Sequence, residues 1–176
     1  VLRREGFFEK NNISEAPLKS WMDLVALGTV CDMVPMTGPN RLFVREGFIQ
    51  MAQKNNMGIR ALCEVANLET APTPMDAGFT IGPRINAGSR VHKSDLGIKL
   101  LSTDDLDTAR SIAFVLDDCN EQRKKIQSQM MKDAVDRVEG QGGNDGPVIM
   151  VSDAEWHPGL SGLVAGRLKE RFGKPS

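Results

Sequence analysis

Three stretches of the sequence hold side chains whose types and spacing could do chemistry. The first is Trp156-His157-Pro158-Gly159 followed by Ser161, where a short apolar run gives way to a helical pattern. A helix N-terminus presents unpaired N–H groups and about half a positive charge, which suits a phosphate oxygen, and His157 and Ser161 add donors. The competing reading is an ordinary capped turn with a locally satisfied histidine, and spacing alone leaves the two level. The second stretch is 77–93, AGFTIGPRINAGSRVHK, where Arg84, Arg90, His92 and Lys93 stand beside Gly82-Pro83 and Gly88 with no acidic residue among them. Glycine and proline there predict a loop, and basic side chains near flexible backbone are a common anion site. Arg84 and Arg90 could each give a phosphate a two-pronged contact. A solvated basic turn is the bland alternative; Asn86 and the glycines tip the reading toward function.

The third stretch is 21–34, WMDLVALGTVCDMV, strongly apolar with Asp23 and Asp32 embedded. On one straight helix these carboxylates are separated by about 900° of turn, so they point to opposite sides and cannot grip one ion together. Asp32, next to Cys31 and before Pro35, sits where the apolar segment ends and could emerge at a cleft. A cation is one of the few good compensations for a buried carboxylate. The residues alone favour the plainer reading, an aspartate bonded to backbone amides at a helix end.

The elements that must position these groups follow from periodicity. Val148-Ile149-Met150-Val151, bounded by Gly146-Pro147 and Ser152-Asp153, predicts a strand covered on both faces, as in a parallel sheet. A helix follows, with Leu160, Leu163, Val164 and Leu168 as its apolar stripe and Gly173 and Pro175 as its stop. Gly162 and Gly166 leave one face of it nearly bare, open to close approach by another backbone or a ligand. Upstream, 40–53 and 59–68 read as core helices with Asn40 as N-cap of the first, and 104–139 as one long helix of about 50 Å. The glycine-rich 141–146 stretch is a flexible break, so the strand-turn-helix unit starts a separate lobe.

Composition sets outer bounds. A chain of 176 residues with 40% hydrophobic content can bury a core and suffices for one large or two small domains. No apolar run approaches the roughly 20 residues of a membrane span, and no charged-then-apolar leader opens the sequence. Cys31, Cys63 and Cys119 form no CxxC pair, which points to reduced thiols and a cytoplasmic location. The net charge of −1 argues against broad adhesion to nucleic acid, so any such binding uses a local patch. The opening Val1-Leu2-Arg3-Arg4-Glu5-Gly6 reads as the end of a helix, and the 148–151 strand lacks a ladder partner, so the chain reads as a fragment.

Taken together, DLVALGTVCDMVP (23–35), IGPRINAGSR (81–90), the Asn120-to-Arg123 segment and WHPGLSGLVAGRLKERFGKP (156–175) occur in the order in which they stand in one family. The chain resembles the RecJ-type single-strand-specific exonucleases of the DHH phosphoesterase superfamily. It departs from their pattern at Ser89, where Gly is expected before Arg90, and at His92. The resemblance implies an α/β protein. Residues 1–100 would be the mainly helical C-terminal part of a DHH domain and its connector, 101–145 a long interdomain helix and linker, and 146–176 the start of a parallel-sheet associated domain that binds nucleic acid.

The resemblance further implies metal-dependent removal of nucleotides from the 5′ end of single-stranded DNA in repair and recombination, with replication and repair proteins as partners. Two Mn²⁺ ions, or Mg²⁺, would serve, with Asp32 as catalytic metal ligand. Arg84, Asn86, Arg90, His157, Gly159 and Ser161 would face the nucleic acid or its phosphates. The Asp-rich and Asp-His-His motifs of the superfamily are expected before Val1, so the fragment alone is expected to be inactive. The alternatives are a DHH-type phosphatase acting on short oligonucleotides or nucleotides, and a noncatalytic single-strand-binding module.

Overall fold

A computed structural model of the chain describes residues 2–91, 95–140 and 146–176, and the regular elements among them are helices. The elements are α1 (Phe7–Lys10), a 3₁₀ turn (Leu18–Trp21), α2 (Met22–Cys31), α3 (Pro39–Met51), α4 (Met57–Val65), α5 (Pro74–Asp76), a π-helical stretch (Ala77–Ile81), α6 (Gly82–Val91), α7 (Leu96–Ser102), α8 (Leu106–Gly140) and α9 (Pro158–Phe172). They form two compact units, 1–55 with 70–78, and 56–69 with 79–176.

The first unit is built on α2 against α3, with Ala26, Leu27 and Met51 buried between them. The helices touch at Gly47, where an added Cβ would lie 2.2 Å from the Met22 carbonyl oxygen and 2.3 Å from the Ala26 Cβ. Only glycine permits that approach. The start of α3 is set by Pro39, whose missing N–H costs nothing at a helix N-terminus. Asn40, expected as the cap, instead donates its side-chain N–H to the Pro35 carbonyl at 3.0 Å.

The second unit is organised around α8, which spans 35 residues as its pattern requires. Asp105 caps it, its carboxylate accepting from the Thr108 N–H at 2.8 Å. The N-terminal half packs on α4, α6 and α7 through Ala109, Ala113 and Leu116. Its C-terminal half carries Met130, Ala134, Val135 and Val138 against Leu160, Val164 and Leu168 of α9.

Two expectations need correction. The α/β class with a parallel sheet is not what the described residues form, since among them no strand is present. Residues 148–151 instead make a single backbone bond to the chain end, Ile149 N–H to Pro175 O at 2.8 Å. A strand needs a neighbour for each N–H and C=O, and one bond does not make a ladder. Only Ile149 is buried, while Met150 is 87% exposed, so the run is not covered on both faces. Side chains anchor this segment instead. The Arg137 guanidinium pairs with the Asp153 carboxylate, donates to the Ser152 carbonyl at 3.0 Å and lies 5.6 Å from the Trp156 ring centre. The second correction is the basic loop at 77–93, which is helical as far as Val91. Gly82, Ala87 and Gly88 are buried there, so small residues that read as breakers permit close packing. His92 and Lys93 lie outside the described residues, as does most of the 141–146 break.

Candidate nucleic-acid and metal-ligand sites

Asp32 is the residue that ends α2. Its N–H reaches the Gly28 carbonyl at 3.0 Å, and the next two amides close the helix, Val34 N–H to Thr29 O at 3.0 Å and Met33 N–H to Val30 O at 3.1 Å. This is the Schellman arrangement, with Met33 at φ 53 in the left-handed place usually held by glycine. The chain therefore turns away just after Asp32 and leaves its side chain exposed. Among the described residues its carboxylate makes no hydrogen bond or ion pair, so it is not the helix-end cap that the residues alone favoured. Cys31 behind it is half-buried and donates its thiol to the Ala77 carbonyl at 3.4 Å. Burial, then the charge of Asp32, push that thiol above its ordinary pKa, which removes Cys31 as a thiolate nucleophile.

The carboxylate does not make a metal site by itself. Among the described residues no three His, Cys, Asp or Glu side chains are grouped to hold an ion. Mn²⁺ and Mg²⁺ take about six oxygen or nitrogen donors, so the described residues supply at most a part of such a site. Asp23, the other embedded carboxylate, is 4% exposed and accepts from the Leu24 N–H at 2.7 Å. Burial raises its pKa.

The second unit carries the arginines. Arg84 is held on α6 with its Nε–H on the Asp117 carboxylate at 2.8 Å and an Nη1–H on the Thr80 carbonyl at 2.8 Å. Thr80 lies in the π-helical stretch, and Pro83 has no N–H to continue the regular ladder. Part of the Arg84 fork is therefore already committed. Asn86 is exposed on the same helix, its carbonyl accepting from the Ser89 hydroxyl at 3.0 Å. Arg90, near the end of α6, donates to the Gly159 carbonyl at 3.1 Å. A Cβ at Gly159 would lie 2.7 Å from the Arg90 carbonyl oxygen, so α6 and the first turn of α9 meet backbone to backbone. His157 is the N-cap of α9, its Nδ1 accepting from the Gly159 N–H at 3.2 Å. Ser161 is exposed one turn on, beside a groove of about 490 Å³ lined by Ile149, Val151, Trp156, Val164 and Leu168. That lining is mostly apolar and includes the Asp153 carboxylate, so it is unsuited to phosphate. The face at Gly162 and Gly166 is open: a Cβ added at either meets nothing within 4 Å, so among the described residues no backbone uses the close approach they allow.

The structure thus brings Arg90, His157 and Gly159 together. Asp32 belongs to the other unit. Sequence reading missed two partners. Asp117 lies 33 residues from Arg84, and nothing local couples them. Arg123 is held by Asn120 and Gln127, and their i,i+3 and i,i+4 spacing on α8 was the available signal.

Each unit thus carries its own feature: the first an exposed carboxylate at the end of α2, the second Arg90 at the first turn of α9. Solved structures with this fold hold metal ions. Exonuclease RecJ bound to manganese matches 95% of this chain with a TM-score of 0.80 at 30% identity, the match covering 41% of that chain. RecJ of Thermus thermophilus in complex with Mg²⁺ matches 95% of this chain with a TM-score of 0.82 at 30% identity, covering 26% of that chain. In sequence, the single-stranded-DNA-specific exonuclease RecJ of Escherichia coli is 38% identical over 179 residues, 99% of this chain and 31% of that protein. RecJ of Bacillus subtilis is 34% identical over 156 residues, 88% of this chain and 20% of that protein. No family model matches. The chain belongs to the RecJ-type exonuclease family, and it spans about a third or less of the length of the relatives it matches.

Proposed function

We propose that the chain is one segment of a metal-dependent exonuclease that hydrolyses single-stranded DNA from its 5′ end in repair and recombination in the cytoplasm. The observation that carries this reading is the exposed Asp32 carboxylate at the end of α2, without a protein partner among the described residues, in a chain similar over nearly its whole length to nucleases whose structures hold Mn²⁺ or Mg²⁺. Asp32 supplies one ligand to two such ions, and the remaining donors come from outside the described residues. Arg84, Asn86 and Arg90 of α6, with His157, Gly159 and Ser161 at the start of α9, face the strand and its phosphates.

The domain reading goes with this function. Residues 1–100 belong to the metal-holding domain, 101–145 connect, and 146–176 begin the domain that binds the DNA strand.

The test uses the full-length enzyme that carries this segment, with Mn²⁺ and 5′-labelled DNA. The wild type is expected to release nucleotides from single strands and leave blunt duplex intact. Arg84→Ala should raise KM for the single strand by about tenfold, the worth of one charged hydrogen-bond contact, with little change in Mn²⁺ requirement. Equal cleavage of the duplex, or an unchanged KM, contradicts the reading. Activity confined to very short RNA or nucleotide bisphosphates would replace the nuclease with a phosphatase.

A further inference from the structure

Arg84 is gripped from two directions before any ligand arrives. Its Nε–H donates to the Asp117 carboxylate of α8 at 2.8 Å, and an Nη1–H donates to the Thr80 carbonyl of the π-helical stretch at 2.8 Å. A guanidinium has five N–H groups, and those on Nη2 have no partner among the described residues. The Arg84 side chain is 14% exposed and that of Asp117 30%, so the pair is tucked between α6 and α8 without being sealed from water.

A bridge this wet adds little to stability, because solvent screens it. The contact of α6 with α8 has its own support in Gly82, Ala87 and Gly88 on one side and Ala113 and Leu116 on the other, all buried. As a bare charge Asp117 would also repel a phosphate brought to Arg84. Nearby carboxylates do not share its contact: Asp118 accepts from the Gln122 amide at 2.6 Å, and Glu121 from the Lys124 ammonium at 2.7 Å. What Asp117 supplies is direction. An arginine fixed in advance loses less side-chain freedom when a ligand binds, and its planar fork presents a set geometry.

We propose that Asp117 is a positioning residue for Arg84: with the Thr80 carbonyl it holds the guanidinium on two sides and leaves Nη2 as the group that meets the strand. Asp117 itself touches no DNA. The proposal rests on the nuclease reading above, in which Arg84 contacts a phosphate of single-stranded DNA.

The test uses the full-length enzyme and two readouts, KM against kcat for single-strand hydrolysis in Mn²⁺, and equilibrium binding of a fluorescein-labelled oligothymidylate without metal. Asp117→Ala and Asp117→Leu both remove the acceptor, the second while filling its space, and Asp117→Asn keeps an acceptor oxygen without the charge. Asp118→Ala, on an exposed neighbour, is the control for loss of charge alone. Simple electrostatics predicts tighter binding for every one of these variants. Positioning predicts the reverse for two of them: Asp117→Ala and Asp117→Leu should weaken binding and raise KM about fivefold, part of the tenfold or so expected for Arg84→Ala, with kcat and the Mn²⁺ requirement little changed. Asp117→Asn should stay within about twofold of wild type, and Asp118→Ala should not weaken binding. In the Arg84→Ala background Asp117→Ala should add nothing, since the residue acts through Arg84. If the wild type binds oligothymidylate without hydrolysing it and Asp117→Ala weakens that binding only when Arg84 is present, the positioning role stands and the nuclease reading fails. Wild-type or tighter binding in both Asp117→Ala and Asp117→Leu, or a further rise in KM on top of Arg84→Ala, overturns the proposal.

Discussion

At the scale of single residues, the two aspartates of the 21–34 segment have opposite fates, and helix geometry separates them. Asp23 faces inward from the first turn of α2 and is buried, whereas Asp32 ends the helix and is exposed. Burial raises the Asp23 pKa, with its bond to the Leu24 N–H pulling the other way. A carboxyl whose folded-state pKa is raised contributes most below its ordinary value of 3.8, and that contribution is lost as pH rises through the folded-state value. Asp23 therefore burdens the fold at neutral pH. Asp23→Asn keeps an oxygen for the Leu24 N–H and should raise Tm by about 2–4 °C at pH 7, the equivalent of about 1 kcal/mol. The gain should vanish below pH 3.8. A Tm difference that is the same at both pH values would mean that ionisation of Asp23 is not what strains the helix.

At the scale of elements, the helices whose apolar spacing is complete were legible in the sequence, and those that rest on small residues were not. The long α8 follows from Ala109, Ala113 and Leu116 and from Ile126, Met130 and Ala134, which repeat every three or four residues and do pack inward. The α6 segment reads as a loop because Gly82, Pro83 and Gly88 are helix breakers in isolation. Their value lies in close packing, which no local pattern records. The sharp exit after Asp32 was hidden for a related reason, since Met33 holds the left-handed position where glycine would have marked the turn. The 148–151 run failed as a strand because pairing is a property of two segments and the sequence displays one. The helix that Asp32 ends is packed on α3 near its start, at Gly47. A Cβ there meets main chain, which cannot swing aside, so Gly47→Ala should cost about 2 kcal/mol or more, read from urea denaturation. Unchanged stability would show that the two helices separate without penalty.

At the scale of the whole molecule, the chain matches RecJ-type relatives across almost all of its own length but covers about a third or less of theirs. The proposed division of labour follows from what the described residues contain. They hold the exposed Asp32 carboxylate and a set of arginines but no grouped metal ligands. The 176-residue chain by itself is therefore expected to release no mononucleotides from single-stranded DNA in Mn²⁺, measured by acid-soluble label; measurable metal-dependent release would mean that it completes a metal site unaided. The central claim is that Asp32 is there for a metal ion. The most direct measurement is the initial rate of single-strand hydrolysis against Mn²⁺ concentration for the full-length enzyme and its Asp32→Ala variant. Loss of a ligand should lower the rate, or raise the Mn²⁺ requirement, by at least the roughly 10–100-fold that loss of an outer partner costs, with single-strand affinity little changed. Superimposable Mn²⁺ curves for the two proteins would contradict the account.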